Sequence, residues 1–152
     1  MLNKDYKDIL LALSEREAKF LLVGAYAMAA HGYPRSTMDI DLWIMSDPEN
    51  AALVLQALKD FGAPTEDLSL EDLQKDGLIF QIGVAPCRID ILTSIDGLQF
   101  GEAYTNSNIL EIEGISVHVL SIPDLITNKR NSGRLKDLAD LESLTNLEKT
   151  AE

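Results

Sequence analysis

Two aspartates stand where a buried strand should carry only apolar side chains. The segment Phe20 to Ile44, FLLVGAYAMAAHGYPRSTMDIDLWI, is hydrophobic enough to enter a core, yet its last strand contains Asp39 and Asp41. Successive strand side chains alternate faces, so these two acids share one face while Ile40, Leu42 and Ile44 take the other. A second acidic strand follows at Arg88 to Leu92, RIDIL, where Asp90 shares a face with Arg88 and Leu92. If the two strands are neighbours, three carboxylates converge. Like charges about 4 Å apart repel by roughly 4 kcal/mol per pair at an effective dielectric near 20, a large part of a typical domain stability of about 5–15 kcal/mol. A fold that keeps such acids together needs positive charge among them, and hard oxygen donors suit Mg2+ or Mn2+.

The rest of the chain is ordinary for a folded protein. With 152 residues, 46% of them apolar and 25% charged, it reads as a single domain over 1–152 with an adequate core. The apolar runs Phe20 to Val23 and Ala25 to Ala30 are broken by Gly24 and stopped by His31, well short of the ~20 residues that cross a bilayer. The start, MLNKDYKDILLALSERE, reads as an amphipathic helix and not a signal peptide, so a cytoplasmic location is expected. Cys87, the one cysteine, excludes an internal disulfide and a cysteine-built zinc site; a small buried residue is the expected role. A net charge of −12 disfavours nonspecific binding to long nucleic acid, although the cluster Lys129, Arg130, Arg134 and Lys136 can still hold a phosphate-rich ligand.

Periodicity and punctuation predict an α+β order. A helix over Leu2 to Ala18 leads to a strand at Phe20 to Val23, a turn at Gly24 and a helix at Ala25 to Ala30 that His31-Gly-Tyr-Pro34 ends. After the Asp39/Asp41 strand, Asp47 caps and Pro48 begins a helix running to Phe61. A short helix at Ser69 to Asp76, paired strands at Leu78 to Val84 and Arg88 to Thr93, and a hairpin of Ile109 to Ile112 with Ser116 to Leu120 come next. Helices at Pro123 to Asn131 and Leu135 to Leu147 close the chain.

A glycine turn into a helix, an Asp-x-Asp strand and a third acid on a later strand form a recognisable set. It resembles the nucleotidyltransferase superfamily that includes DNA polymerase β, and within it the small bacterial proteins similar to AbiEii-type toxins. Their motif runs VGGxAxxxHGxxRxTxDxD, matched here by Val23, Gly24, Ala27, His31, Gly32, Arg35, Thr37, Asp39 and Asp41. The tail, Asp124-Leu-Ile-x-x-Lys129 and Gly133-Arg-x-Lys-Asp-x-x-Asp-Leu141, is similar to the family's carboxy-terminal signature. One departure stands out: Ala25 follows Gly24 where the superfamily usually has glycine or serine, so a serine hydroxyl contact is not available.

The resemblance implies a nucleotidyltransferase-like mixed β-sheet flanked by helices, with helices at the C-terminal end. It implies transfer of a nucleoside monophosphate from a nucleoside triphosphate to a hydroxyl of an acceptor (tRNA, a protein or a small molecule), assisted by Mg2+ or Mn2+. Asp39 and Asp41 would bridge two metals, and Asp90 would serve the metal that activates the acceptor and take its proton. Gly24 and Ala25 would approach the phosphates, with Ser36 and Thr37 as hydroxyl donors and Arg35 and Lys129 as phosphate ligands. A toxin–antitoxin role, with an antitoxin or another protein as partner, belongs to the same implication.

Plainer readings compete at several positions. Asp39 and Asp41 can belong to an ion-pair cluster with Arg35 and Arg88, and Arg35 can equally neutralise Asp39. Trp43 has the parity to face a nucleotide base, but a large aromatic on a strand is more often core. His31 suits a hydrogen bond at a helix end, and His118 has no second histidine nearby in sequence to form a metal site. A binding module that kept fold and acids without turnover is the alternative to an enzyme, and a phosphohydrolase is a third reading.

Overall fold

The computed structural model describes residues 3–33, 39–84, 87–133 and 145–146. Asn3 caps the first helix, α1 (Lys4–Glu15), by accepting the Asp5 amide at 2.8 Å, and the apolar stripe Tyr6, Ile9, Leu10 and Leu13 is buried along it. Strand β1 (Phe20–Val23) is buried at every position and runs directly into α2 (Gly24–Ala30). Strand β2 (Ile40–Ile44) follows, then α3 (Pro48–Phe61), capped by Asp47 and closed by Gly62 at φ +93°. The expected helix at Ser69 to Asp76 is only a 3-10 turn, Asp72–Gln74.

Next come β3 (Ile79–Ile82), β4 (Ile89–Leu92), α4 (Phe100–Thr105), β5 (Asn108–Ile112), β6 (Ile115–Val119) and α5 (Ile122–Ser132). The hairpin between β5 and β6 turns on Glu113 and Gly114 at φ +49° and +84°, the two positive values that a two-residue hairpin turn of this hand requires. Helix α4 has no counterpart in the sequence reading. Six residues with Gly101 inside leave little periodicity to read; Phe100 packs on Trp43 and Tyr104 on His118, which seats the helix against the sheet.

The six strands form one mixed sheet in the order β3-β4-β2-β1-β6-β5. Pairs β2–β4 and β1–β6 are parallel, whereas β1–β2, β3–β4 and β5–β6 are antiparallel. The acid-bearing strand is therefore internal, flanked by β4 and β1. Its Ile40, Leu42 and Ile44 are buried on one face, and Trp43 is 2% exposed on the other, so both faces are covered there. Trp43 donates Nε1–H to the Thr93 carbonyl at 3.3 Å and packs edge-on against Phe100, which makes it a core residue. Asn50, also buried, joins three segments: its amide donates to the carbonyls of Lys19 and Met45 at 3.0 and 2.8 Å and accepts the Lys19 amide at 2.7 Å.

Two further expectations change. Cys87 is exposed, not buried, because it sits in the connection between β3 and β4, where Asn3 donates to its Sγ at 3.4 Å. The expected helix at Leu135 to Leu147 lies outside the described residues, apart from 145–146. Among the described residues no helix is long and apolar enough to cross a membrane.

Candidate active site

The site begins where β1 ends. Val23 pairs with Asp41 in the antiparallel β1–β2 register, so the next residue, Gly24, passes over the Asp41 carboxylate. Gly24 has φ +69°, and a Cβ built on it would collide with Asp41 Oδ2. Backbone conformation and close approach both demand glycine here. Ala25, half-buried, follows in the first turn of α2.

The parallel β2–β4 register sets Ile40 opposite Ile89 and Asp41 opposite Asp90. Neighbouring strands lie about 4.8 Å apart, so two carboxylates at paired positions on one face adjoin. Asp90 is 7% exposed and Asp41 half-buried. Burial is the main reason that the Asp41 carboxyl is pushed up to about 6; the Asp90 charge, a hydrogen bond between the two carboxyls and the Asp39 charge add to it. The Lys129 ammonium acts in the opposite direction.

Arg88 brings positive charge into direct contact with two of the acids. Its Nε donates to Asp90 Oδ1 at 3.0 Å, and its Nη2 donates to Asp90 Oδ2 at 3.2 Å and reaches Asp39 Oδ2 at 3.1 Å. Lys129 comes from α5 and is only 5% exposed. Ser121 caps that helix by accepting the Asp124 amide at 3.3 Å, and Asn128 donates to the Asp96 carbonyl at 3.0 Å, which fixes α5 against the loop after β4. From below, the Tyr6 hydroxyl of α1 donates to the Arg88 carbonyl at 3.3 Å, and its ring meets Tyr26 of α2 edge-on at 5.4 Å. Burial, first of all, raises the Tyr6 phenol well above its ordinary range, so it remains a neutral donor.

Of the residues singled out in the sequence, the fold gathers Gly24, Asp39, Asp41, Asp90 and Lys129 at one place, with Ala25 adjoining Gly24. Arg35, Ser36 and Thr37 lie outside the described residues. His31 bonds through Nε2 to the Leu120 carbonyl at 2.9 Å, and His118 bonds to Ser107 Oγ and stacks on Tyr104. Tyr6 and Tyr26 were not legible as site supports: Tyr6 reads from sequence as one more apolar position of an amphipathic helix.

The donor set suits a hard divalent cation: all three side chains are carboxylates, and Asp41 carries charge that its surroundings do not fully offset. Among the described residues no three acidic, histidine or cysteine side chains are already grouped to hold an ion, and Arg88 joins Asp39 to Asp90.

Solved structures share this architecture. A Thermotoga maritima protein described as a candidate nucleotidyltransferase superposes with a TM-score of 0.63 over 96% of each chain, at 16% identity. ANT(2″)-Ia, solved with adenylyl-2″-tobramycin, superposes with a TM-score of 0.54 over 80% of this chain and 70% of its own, at 19% identity. At such identities the likeness is one of fold. No curated protein sequence matches the chain. Residues 8–150, which include all three acids, match the family described as the nucleotidyl transferase AbiEii toxin of Type IV toxin–antitoxin systems, and the chain therefore belongs to this family of nucleotidyltransferase enzymes.

Proposed function

We propose that the protein transfers a nucleoside monophosphate from a nucleoside triphosphate to a hydroxyl group, with Mg2+ or Mn2+ held by Asp39, Asp41 and Asp90, and that it serves as the toxin of a toxin–antitoxin pair. The observation that carries this reading is the Asp41–Asp90 register pair lying beneath the Gly24 backbone. Acids at that spacing are costly to maintain in a sheet unless a cation joins them. Divalent ions there would offset phosphate charge and make the acceptor hydroxyl a better nucleophile.

The chain's own groups have definite parts in this proposal. The Gly24 and Ala25 backbone, at the start of α2, lies against the phosphates, and the lack of a Cβ on Gly24 lets that turn pass beside Asp41. Lys129 neutralises charge on the phosphates as it does on Asp41. Arg35, Ser36 and Thr37 complete the nucleotide contacts. The acceptor oxygen bonds to the α-phosphorus, the bond from that phosphorus to the bridging oxygen of the β-phosphate breaks, and pyrophosphate leaves. Asp90 accepts the hydroxyl proton. The acceptor is an RNA end, a protein or a small molecule, and an antitoxin is the expected protein partner.

Calorimetric titration of each nucleoside triphosphate in Mg2+, with an Asp39→Asn/Asp41→Asn control, tests the site. Binding that the control abolishes supports the reading, and transfer of labelled nucleotide to a cell extract then identifies the acceptor. Equal binding by the control, or none by either protein, refutes it.

A further inference from the structure

Arg88 bridges two of the three acids. It immediately precedes the Ile89 that pairs with Ile40, next to Asp39 at the start of β2 and two residues before Asp90. Its guanidinium spans both acids, using Nε and Nη2 on Asp90 at 3.0 and 3.2 Å and Nη2 on Asp39 at 3.1 Å. The backbone beneath it is pinned from two sides, because the Arg88 carbonyl accepts the Ile40 amide at 3.0 Å and the Tyr6 hydroxyl at 3.3 Å. The side chain is not pinned in the same way: it is 33% exposed, whereas that of Asp90 is 9% exposed. Arg88 therefore has a route to solvent that Asp90 lacks.

We propose that Arg88 is the built-in counter-cation of this site, clamping Asp39 and Asp90 while no divalent ion is bound and giving up at least one of them as the ion enters. The inference rests on the metal-site reading given above. A guanidinium in contact with both acids uses the lone pairs and the negative potential that an ion needs, and it repels that ion directly. While Arg88 contacts both acids, oxygens of Asp39 and Asp90 are engaged with the guanidinium. The swing of one side chain frees the oxygens of Asp39 and Asp90 beside Asp41. Arg88 thus sets the ion concentration at which the site is complete. It is a positioning residue and touches no reacting atom.

Binding of Mn2+ alone to the full chain, followed by the paramagnetic resonance signal of the free ion, tests this without any turnover. Arg88→Gln is expected to bind Mn2+ at least tenfold more tightly than the parent protein. Its melting temperature in chelator should be lower, and the rise on adding Mn2+ larger. Arg88→Lys, which keeps one charge but cannot fork across two acids, should fall between them. If either variant keeps the parent circular dichroism spectrum and binds Mn2+ no more tightly than the parent, the assignment is overturned; should the glutamine variant not fold, the lysine variant decides alone. Asp41→Asn separates the two readings. Mn2+ binding that it abolishes in the parent, with no gain in the Arg88 variants, sinks the clamp alone. No Mn2+ binding by any protein, or equal binding by Asp41→Asn, sinks the metal site and the clamp together.

Discussion

The Gly24 backbone lies against the Asp41 carboxylate so closely that a Cβ on Gly24 would overlap Asp41 Oδ2. The φ of +69° adds a second penalty for any other residue. Gly24→Ala is therefore expected to lose about 2 kcal/mol or more of stability, read as a lower urea midpoint at unchanged slope. The variant should also lose triphosphate binding, since the strain is relieved only by moving the turn or the acid.

Asp41 connects the site to pH. Its carboxyl rises from an ordinary 3.8 to about 6 in the folded protein, so the folded state holds the proton more tightly than the unfolded chain. In chelator, its contribution is most favourable below about pH 4, declines as the pH rises towards 6, and is level above that. Asp41→Asn should remove this decline and stabilise the metal-free protein at pH 7 by on the order of 2 kcal/mol, while abolishing transfer. Urea unfolding from pH 4 to 8 in chelator gives both curves. Parallel curves for the two proteins would contradict the electrostatic account.

Lys129 opposes the shift at Asp41 from a buried position on α5. Lys129→Met should move the pH-dependent step of the metal-free protein upward. It should also weaken Mg2+–triphosphate binding by roughly tenfold to a hundredfold, the range of a charge-assisted hydrogen bond. Calorimetry and the pH series above check the two effects separately. A lysine that serves only helix packing would lower stability and leave both unchanged.

Asn50 provides a contrast, because its three hydrogen bonds hold the chain at Lys19 and Met45 and reach no acid of the site. Asn50→Ala leaves the Lys19 amide and the Met45 carbonyl without their partner, while the Lys19 carbonyl keeps the Met45 amide at 3.2 Å, and should cost about 2 kcal/mol. Triphosphate affinity of the folded variant, measured well below its melting temperature, is expected to match the parent. A comparable loss of affinity would mean that the β2–α3 junction is coupled to the site.

Some of this architecture could be read from the chain because local chemistry demands it. Asp47 and Pro48 announce α3, Glu113-Gly114 announces the β5–β6 hairpin, and the apolar run Phe20 to Val23 announces β1. Strand parity put Asp39 with Asp41, and Arg88 with Asp90, before any fold was known. Trp43 shows the limit of the same rule: parity gave it the Asp41 face, but parity says nothing of Phe100, which covers it. Cys87 reads as a small buried residue by type and is exposed because of the loop that carries it. Helix α4 is too short to have a period of its own.

The sequence by itself determined the acids, the glycine and the family, since residue types at fixed spacings suffice for each. Only the tertiary structure decided that Asp41 faces Asp90 across a parallel pair, that Lys129 arrives from a helix 88 positions further along the chain, and that Arg88 closes over Asp39. Strand order and register are properties of pairing between distant segments. They are set by the burial of whole strand faces, and no local pattern encodes which strand a given face will meet.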